Sequence, residues 1–122
     1  MFDHIGLRVR DLNTSARFYQ TTLASLGHVP GAHDATYAGF GPKGAPALWL
    51  HANAEARGGA HVAFRATSRA AVDQFHQAGL AAGGRDNGAP GLRPGYSPTY
   101  YAAFLIDPDG NNVEAVCLAR EQ

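Results

Sequence analysis

The chain has 122 residues, 45% of them hydrophobic, with 10 basic and 10 acidic side chains and a formal net charge of zero. That is enough for one hydrophobic core and too little for two independent ones. The balanced charge, without any long basic run, excludes the electrostatic footprint of a nucleic-acid binder, and no apolar stretch approaches the roughly 20 residues of a membrane helix.

The first residues lack the charged-then-apolar pattern of a secretory leader, so a soluble cytoplasmic domain is expected over 1–122. The segment HIGLRV alternates apolar and polar residues and predicts a strand over roughly 2–9. A helix follows over about 13–25, with Asp11, Asn13 and Thr14 as cap candidates, apolar residues at helical spacing and Gly27 as its stop. HVP, ATYAGF and PALWLHA are strand-like, the last over 46–52.

HVAFRA predicts a strand over 59–66, and a helix over 68–81 is capped by Ser68 or Thr67. The stretch GGRDNGAPGLRPGYSP, 83–98, has the length and the glycine and proline content of a shaped lid, with only a weak strand inside it. Strands over 99–106 and 111–118 flank DPDGNN, whose residues suit a hairpin turn. Cys117, alone in the chain and set in VEAVCLA, reads as a small buried hydrophobe.

A constant shift of 57 residues carries HIGLRVRDLNTSARFYQTTLASLG onto HVAFRATSRAAVDQFHQAGLAAGG. His4 falls on His61, Arg8 on Arg65 and Phe18 on Phe75, which predicts two copies of one strand-helix-three-strand unit, about 1–56 and 57–122. The last strands align at a shift of 65, where Trp49 lands on Glu114.

Residues two apart in a strand share a face, so His4, Gly6 and Arg8 oppose Ile5, Leu7 and Val9, and His61, Ala63 and Arg65 oppose Val62 and Phe64. Packed about a pseudo-twofold axis, His4 and His61 converge, and Glu114 can complete a set of two imidazoles and one carboxylate for Zn, Mn, Fe, Co or Ni. The competing reading is that each histidine merely opens a strand. Arg8 and Arg65 call for an anionic ligand, unless they pair with Asp3 or Asp107. Trp49, Arg93, Tyr96 and Tyr101 are candidate substrate-binding residues; Tyr100 and Tyr101 face opposite sides of a strand, so only one can line the cavity. His51 shares the face of Trp49 and is the candidate catalytic base.

DHIGLRVRDLNTSARFY, GAHVAFRA and DPDGNNVEAV together resemble the vicinal oxygen chelate superfamily, which includes glyoxalase I, bleomycin-resistance proteins, extradiol dioxygenases and fosfomycin-resistance transferases. The resemblance covers nearly the whole chain. It implies an α+β fold of paired βαβββ modules in an open, curved mixed sheet, a divalent metal on the concave face and a homodimer whose sites can mix modules from two chains. The family's metal positions fall on His4, Trp49, His61 and Glu114. Indole has no lone pair for a metal, which argues against glyoxalase I itself and leaves the three-ligand pattern of the transferases and dioxygenases. The expectation is a metal-dependent enzyme stabilising an enolate or oxyanion of a small anionic substrate, with His51 or a hydroxide moving the proton. The alternative is a non-catalytic binding module of the bleomycin-resistance type.

Overall fold

The computed structural model describes residues 1–120. The first unit comprises β1 (Ile5–Val9), α1 (Leu12–Ala24), β2 (Val29–His33), β3 (Tyr37–Gly41) and β4 (Leu48–Ala52). The second repeats the order as β5 (His61–Arg65), α2 (Arg69–Ala81), β6 (Arg85–Leu92), β7 (Tyr101–Ile106) and β8 (Asn112–Cys117). The strand orders are β1-β4-β3-β2 and β5-β8-β7-β6, two open four-stranded mixed sheets. In each, the first strand lies parallel to the last and the other pairs are antiparallel. This is the expected pair of βαβββ modules.

Local chemistry explains the helices. Asp11 accepts a hydrogen bond from the Thr14 amide and Ser68 one from the Ala71 amide, each 3.1 Å, so each helix begins at a capped amide. Beyond each helix a glycine takes a left-handed φ, +87° at Gly27 and +97° at Gly83. The parity of the strands also holds: Leu7, Val9, Val62 and Ala66 are buried against the helices, whereas His4, Gly6, Arg8, His61, Ala63 and Arg65 are exposed. Phe18 and Phe75, matched by the repeat, are both fully buried, as is Cys117.

The register supports the second repeat shift. Trp49 lies opposite Gly6, and Glu114 opposite Ala63, so both stand beside the residue two after the module's first histidine. The stretch 83–98 differs from expectation. Its first part is β6, which pairs with β7 through register shifts between Asp86 and Gly88 and between Gly88 and Gly91. A bulged edge strand tolerates Gly and Pro90, and those residues disguised it as a loop; the irregular segment is only 93–100.

The turn between β7 and β8 joins the two modules. Asp107, Asp109 and Asn111 are all buried. The Asp107 carboxylate accepts from the Tyr19 hydroxyl of α1, the Asn111 side-chain amide at 2.9 Å and the Asp109 and Asn111 backbone amides at 2.8 and 2.9 Å. Asp109 accepts from the Ser15 hydroxyl and the Arg10 amide, both 2.8 Å. Burial, then the charge of Asp107, pushes the Tyr19 phenol well above its ordinary pKa. The DPDGNN segment is therefore a clasp between modules as well as a hairpin turn.

Candidate functional site

Strand pairing brings His61 and Glu114 together. β5 and β8 run parallel with Ala63 opposite Glu114, which places the two side chains on the open face of the second sheet. His61 Nε2 and Glu114 Oε1 are 2.8 Å apart, and the Tyr100 hydroxyl donates to Glu114 Oε2. Glu114 is 1% exposed, and these two partners satisfy its buried carboxylate. Burial, then the hydrogen bond to Glu114, pushes the Tyr100 phenol up to about 12. Phe104, the cross-strand partner of Glu114, lies 6.4 Å from the His61 ring, centre to centre.

The segment 93–98 lies beside this cluster. The Arg93 guanidinium stacks 5.4 Å from the Phe104 ring centre and donates to the carbonyls of Gly91 at 2.9 Å and Ala89 at 2.8 Å. Tyr96 meets Tyr100 edge to face at 5.0 Å and is largely exposed.

Tyr101 requires a correction. Its hydroxyl donates to Asp73 of α2 at 2.6 Å and its ring takes Arg69 at 5.1 Å, so it lies on the helix side of the sheet. Tyr100, on the other side of the sheet, is the tyrosine that reaches Glu114. The signal was the alternation of β7, in which Ala103 and Leu105 are fully buried and Tyr101 shares their parity. Adjacent Phe104 and Leu105 are both large and apolar, which left that parity undecided in the sequence.

The first module presents different chemistry on its open face. Trp49 lies so flat on β3 that a Cβ built on Gly39 would sit 2.4 Å from the indole, and Tyr37 meets the ring at 6.0 Å. His51 covers Gly6, its Nε2 3.6 Å from where a Cβ would stand, and it lies opposite Arg8 and Tyr37 in the sheet. An aromatic platform and an imidazole thus stand where the second module has its carboxylate.

His4 bonds through Nδ1 to Asp3 at 2.6 Å, which leaves Nε2 as the nitrogen free to bind a metal. Among the described residues, no three His, Cys, Asp or Glu side chains gather into a metal-binding group, so one chain does not unite His4 with His61 and Glu114. The pair in hand nevertheless suits a divalent ion. An imidazole nitrogen and a carboxylate oxygen are donors that such an ion takes, and His61 Nε2 and Glu114 Oε1 already face each other, hydrogen-bonded at 2.8 Å.

Arg8 lines a cleft with Arg57 at the junction of the modules, and Arg65 does not line it. Structural pairing with Asp3 or Asp107 is also absent, because Asp3 holds His4 and Asp107 holds Tyr19 and Asn111. No helix in the described residues is long and apolar enough to cross a membrane.

The family model described as Glyoxalase/Bleomycin resistance protein/Dioxygenase superfamily matches residues 1–115. A glyoxalase/bleomycin resistance protein from Albidiferax ferrireducens T118 is 32% identical, with 96% of this chain and 98% of that one covered and a TM-score of 0.84. The fold also matches a glyoxalase/bleomycin resistance protein/dioxygenase family enzyme from Burkholderia phytofirmans PsJN at 18% identity, with 96% and 98% covered and a TM-score of 0.74. A putative glyoxalase from Bacillus halodurans matches at 24% identity, with 96% and 95% covered and a TM-score of 0.72. No curated protein sequence matches the chain.

Proposed function

The chain belongs to the Glyoxalase/Bleomycin resistance protein/Dioxygenase superfamily, and on that premise we propose that it is a small metal-dependent enzyme acting on a small, anionic, oxygenated substrate. The observation that carries this reading is the buried Glu114 carboxylate, held by Tyr100 on one oxygen and facing His61 Nε2 at 2.8 Å on the other. His61 and Glu114 would hold a divalent ion (Zn, Mn, Fe, Ni or Co), with His4 from a second copy of the chain as third ligand in a homodimer. Bound there, the ion would supply Lewis acidity toward negative charge developing on a substrate oxygen.

This chain's residues account for the other needs of such a reaction. Tyr100 fixes the orientation of the Glu114 carboxylate. Arg65, exposed on the same face of β5 as His61 and without a carboxylate partner among the described residues, supplies a counter-charge for an anion. Arg93, stacked on Phe104, and Tyr96, edge-on to Tyr100, would border a bound substrate on one side. His51 on the first module's face accepts or returns a proton at its ring nitrogen. The shared first step suits isomerisation, thiol addition or ring-opening dioxygenation.

The test is metal content of tag-free protein purified without chelator. The expected result is a stoichiometric first-row metal that His61→Ala and Glu114→Gln each lose while circular dichroism stays unchanged. The flat Trp49 platform favours a second reading, a binding module that holds a planar ligand without catalysis. Protein that takes up no divalent metal, even when metal is added, supports that module in place of the enzyme.

A further inference from the structure

The segment between β6 and β7, residues 93–100, contains no buried residue. Its backbone hydrogen bonds run between its own members. The Tyr96 and Ser97 amides donate to the Arg93 carbonyl at 2.9 and 3.4 Å, and the Tyr100 amide donates to the Ser97 carbonyl at 3.3 Å. The Arg93 amide closes the base on the Tyr100 carbonyl at 2.7 Å. A closed loop without buried apolar contacts opens at a lower free energy than the sheet that carries it.

Two side chains tie this loop down, and they differ. Arg93 is held by β6 itself: its guanidinium donates to the Ala89 and Gly91 carbonyls and stacks on Phe104. Gly88 and Gly91 leave room for it, since a Cβ would stand 3.2 Å from Arg93 Nη2 at the first and 3.3 Å from Nη1 at the second. That end is anchored without reference to Glu114. At the other end the Tyr100 hydroxyl donates to Glu114 Oε2, and Tyr96 meets the Tyr100 ring edge-on. Among the described residues Oε2 has no other partner, and Oε1 faces His61.

We propose that residues 93–100 form a lid hinged at Arg93 and latched by Tyr100 to Glu114, so that opening the lid and releasing the Glu114 carboxylate are one event. Breaking the latch leaves an oxygen of a buried carboxylate unpaired, which is costly and favours the closed lid. Coupling of this kind is reciprocal. Whatever holds Glu114 in its present orientation holds the lid, and a closed lid keeps the carboxylate aimed at His61. The latch needs no metal; only the last arm of the test rests on reading His61 and Glu114 as metal ligands.

The test is amide hydrogen exchange of metal-free protein, read at Tyr96, Ser97 and Tyr100, whose amides bond within the segment. Tyr100→Phe removes the latch and keeps the ring, and these amides should exchange about tenfold faster or more. Tyr101→Phe deletes the neighbouring hydroxyl, which serves Asp73 on the helix side of the sheet, and should leave them unchanged. Equal exchange in Tyr100→Phe and wild type overturns the proposal. So does acceleration that runs equally through α1, or that Tyr101→Phe reproduces, since either reports a loosened fold in place of an opened lid. With zinc added, the three amides should slow further in the wild type and much less in Tyr100→Phe. Unchanged exchange in wild-type protein that has bound zinc overturns the coupling. Protein that takes up no zinc counts against the metal reading alone, because the metal-free comparison does not depend on it.

Discussion

Tyr100 donates its hydroxyl to the carboxylate of Glu114, whose other oxygen meets His61. The phenol fixes the carboxylate without competing for the oxygen that faces the imidazole. Tyr100→Phe should weaken divalent-metal affinity by about 10–100-fold, against near-complete loss for His61→Ala. Competition with a chromophoric chelator measures both, and equal affinity in Tyr100→Phe and wild type would remove Tyr100 from the site.

Stability should fall in alkali. Tyr100 titrates at about 12 and Tyr19 also well above its usual value, so both stay neutral in the folded chain after the unfolded chain begins to ionise near 10. A folded-state pKa that is raised gives stability fully present below the unfolded value and lost as pH climbs through the folded one. Urea midpoints should hold up to about pH 9 and decline from about 10. Tyr19→Phe should lessen that decline.

The clasp can be tested at Asp107, whose carboxylate accepts four hydrogen bonds. Asp107→Asn keeps the shape but turns an amide donor toward groups that also donate. The expected cost is about 2–4 kcal/mol in urea unfolding, with both modules lost in one transition.

Gly79 sits within α2, where alanine ordinarily stabilises a helix by about 1 kcal/mol. Here a Cβ would stand 2.2 Å from Leu105 Cδ1 and 3.1 Å from Thr22 Cγ2, at the meeting of α2, β7 and α1. Gly79→Ala should therefore destabilise, by about 1–3 kcal/mol, and a raised thermal midpoint would contradict that packing.

Trp49 is the only tryptophan in the chain, so its fluorescence reports one place. Gly39→Ala would put a methyl carbon 2.4 Å from the indole and lift the ring off β3. A shift of the emission maximum with little change in far-ultraviolet dichroism is expected. Identical emission in variant and wild type would show that the ring does not rest on Gly39.

Much of this architecture was legible because periodicity and capping agree. The alternation through Leu7 and Val9 and again through Val62 and Ala66 assigned the faces of β1 and β5, and the two repeat shifts placed Trp49 and Glu114 at equivalent positions before any register was known. Edges and loops were less legible. In β6, glycine and Pro90 serve bulges, and the same residues equally signal a loop. Tyr100 and Tyr101 could be told apart only by knowing which of Phe104 and Leu105 faces the helices.

The clasp on the β7–β8 turn also breaks the symmetry of the repeat. α1 supplies Ser15 and Tyr19 to Asp109 and Asp107, whereas the corresponding places in α2 hold Val72 and His76, and the turn between β3 and β4 contains no acidic residue. The attachment therefore has a direction, with donors on the leading half and acceptors on the trailing half. A chain built from two copies of the leading half would carry hydroxyls with no carboxylates to receive them. One built from two trailing halves would bury aspartates against a helix without those donors. The two modules are therefore not interchangeable, although Trp49 and Glu114 hold equivalent places in them.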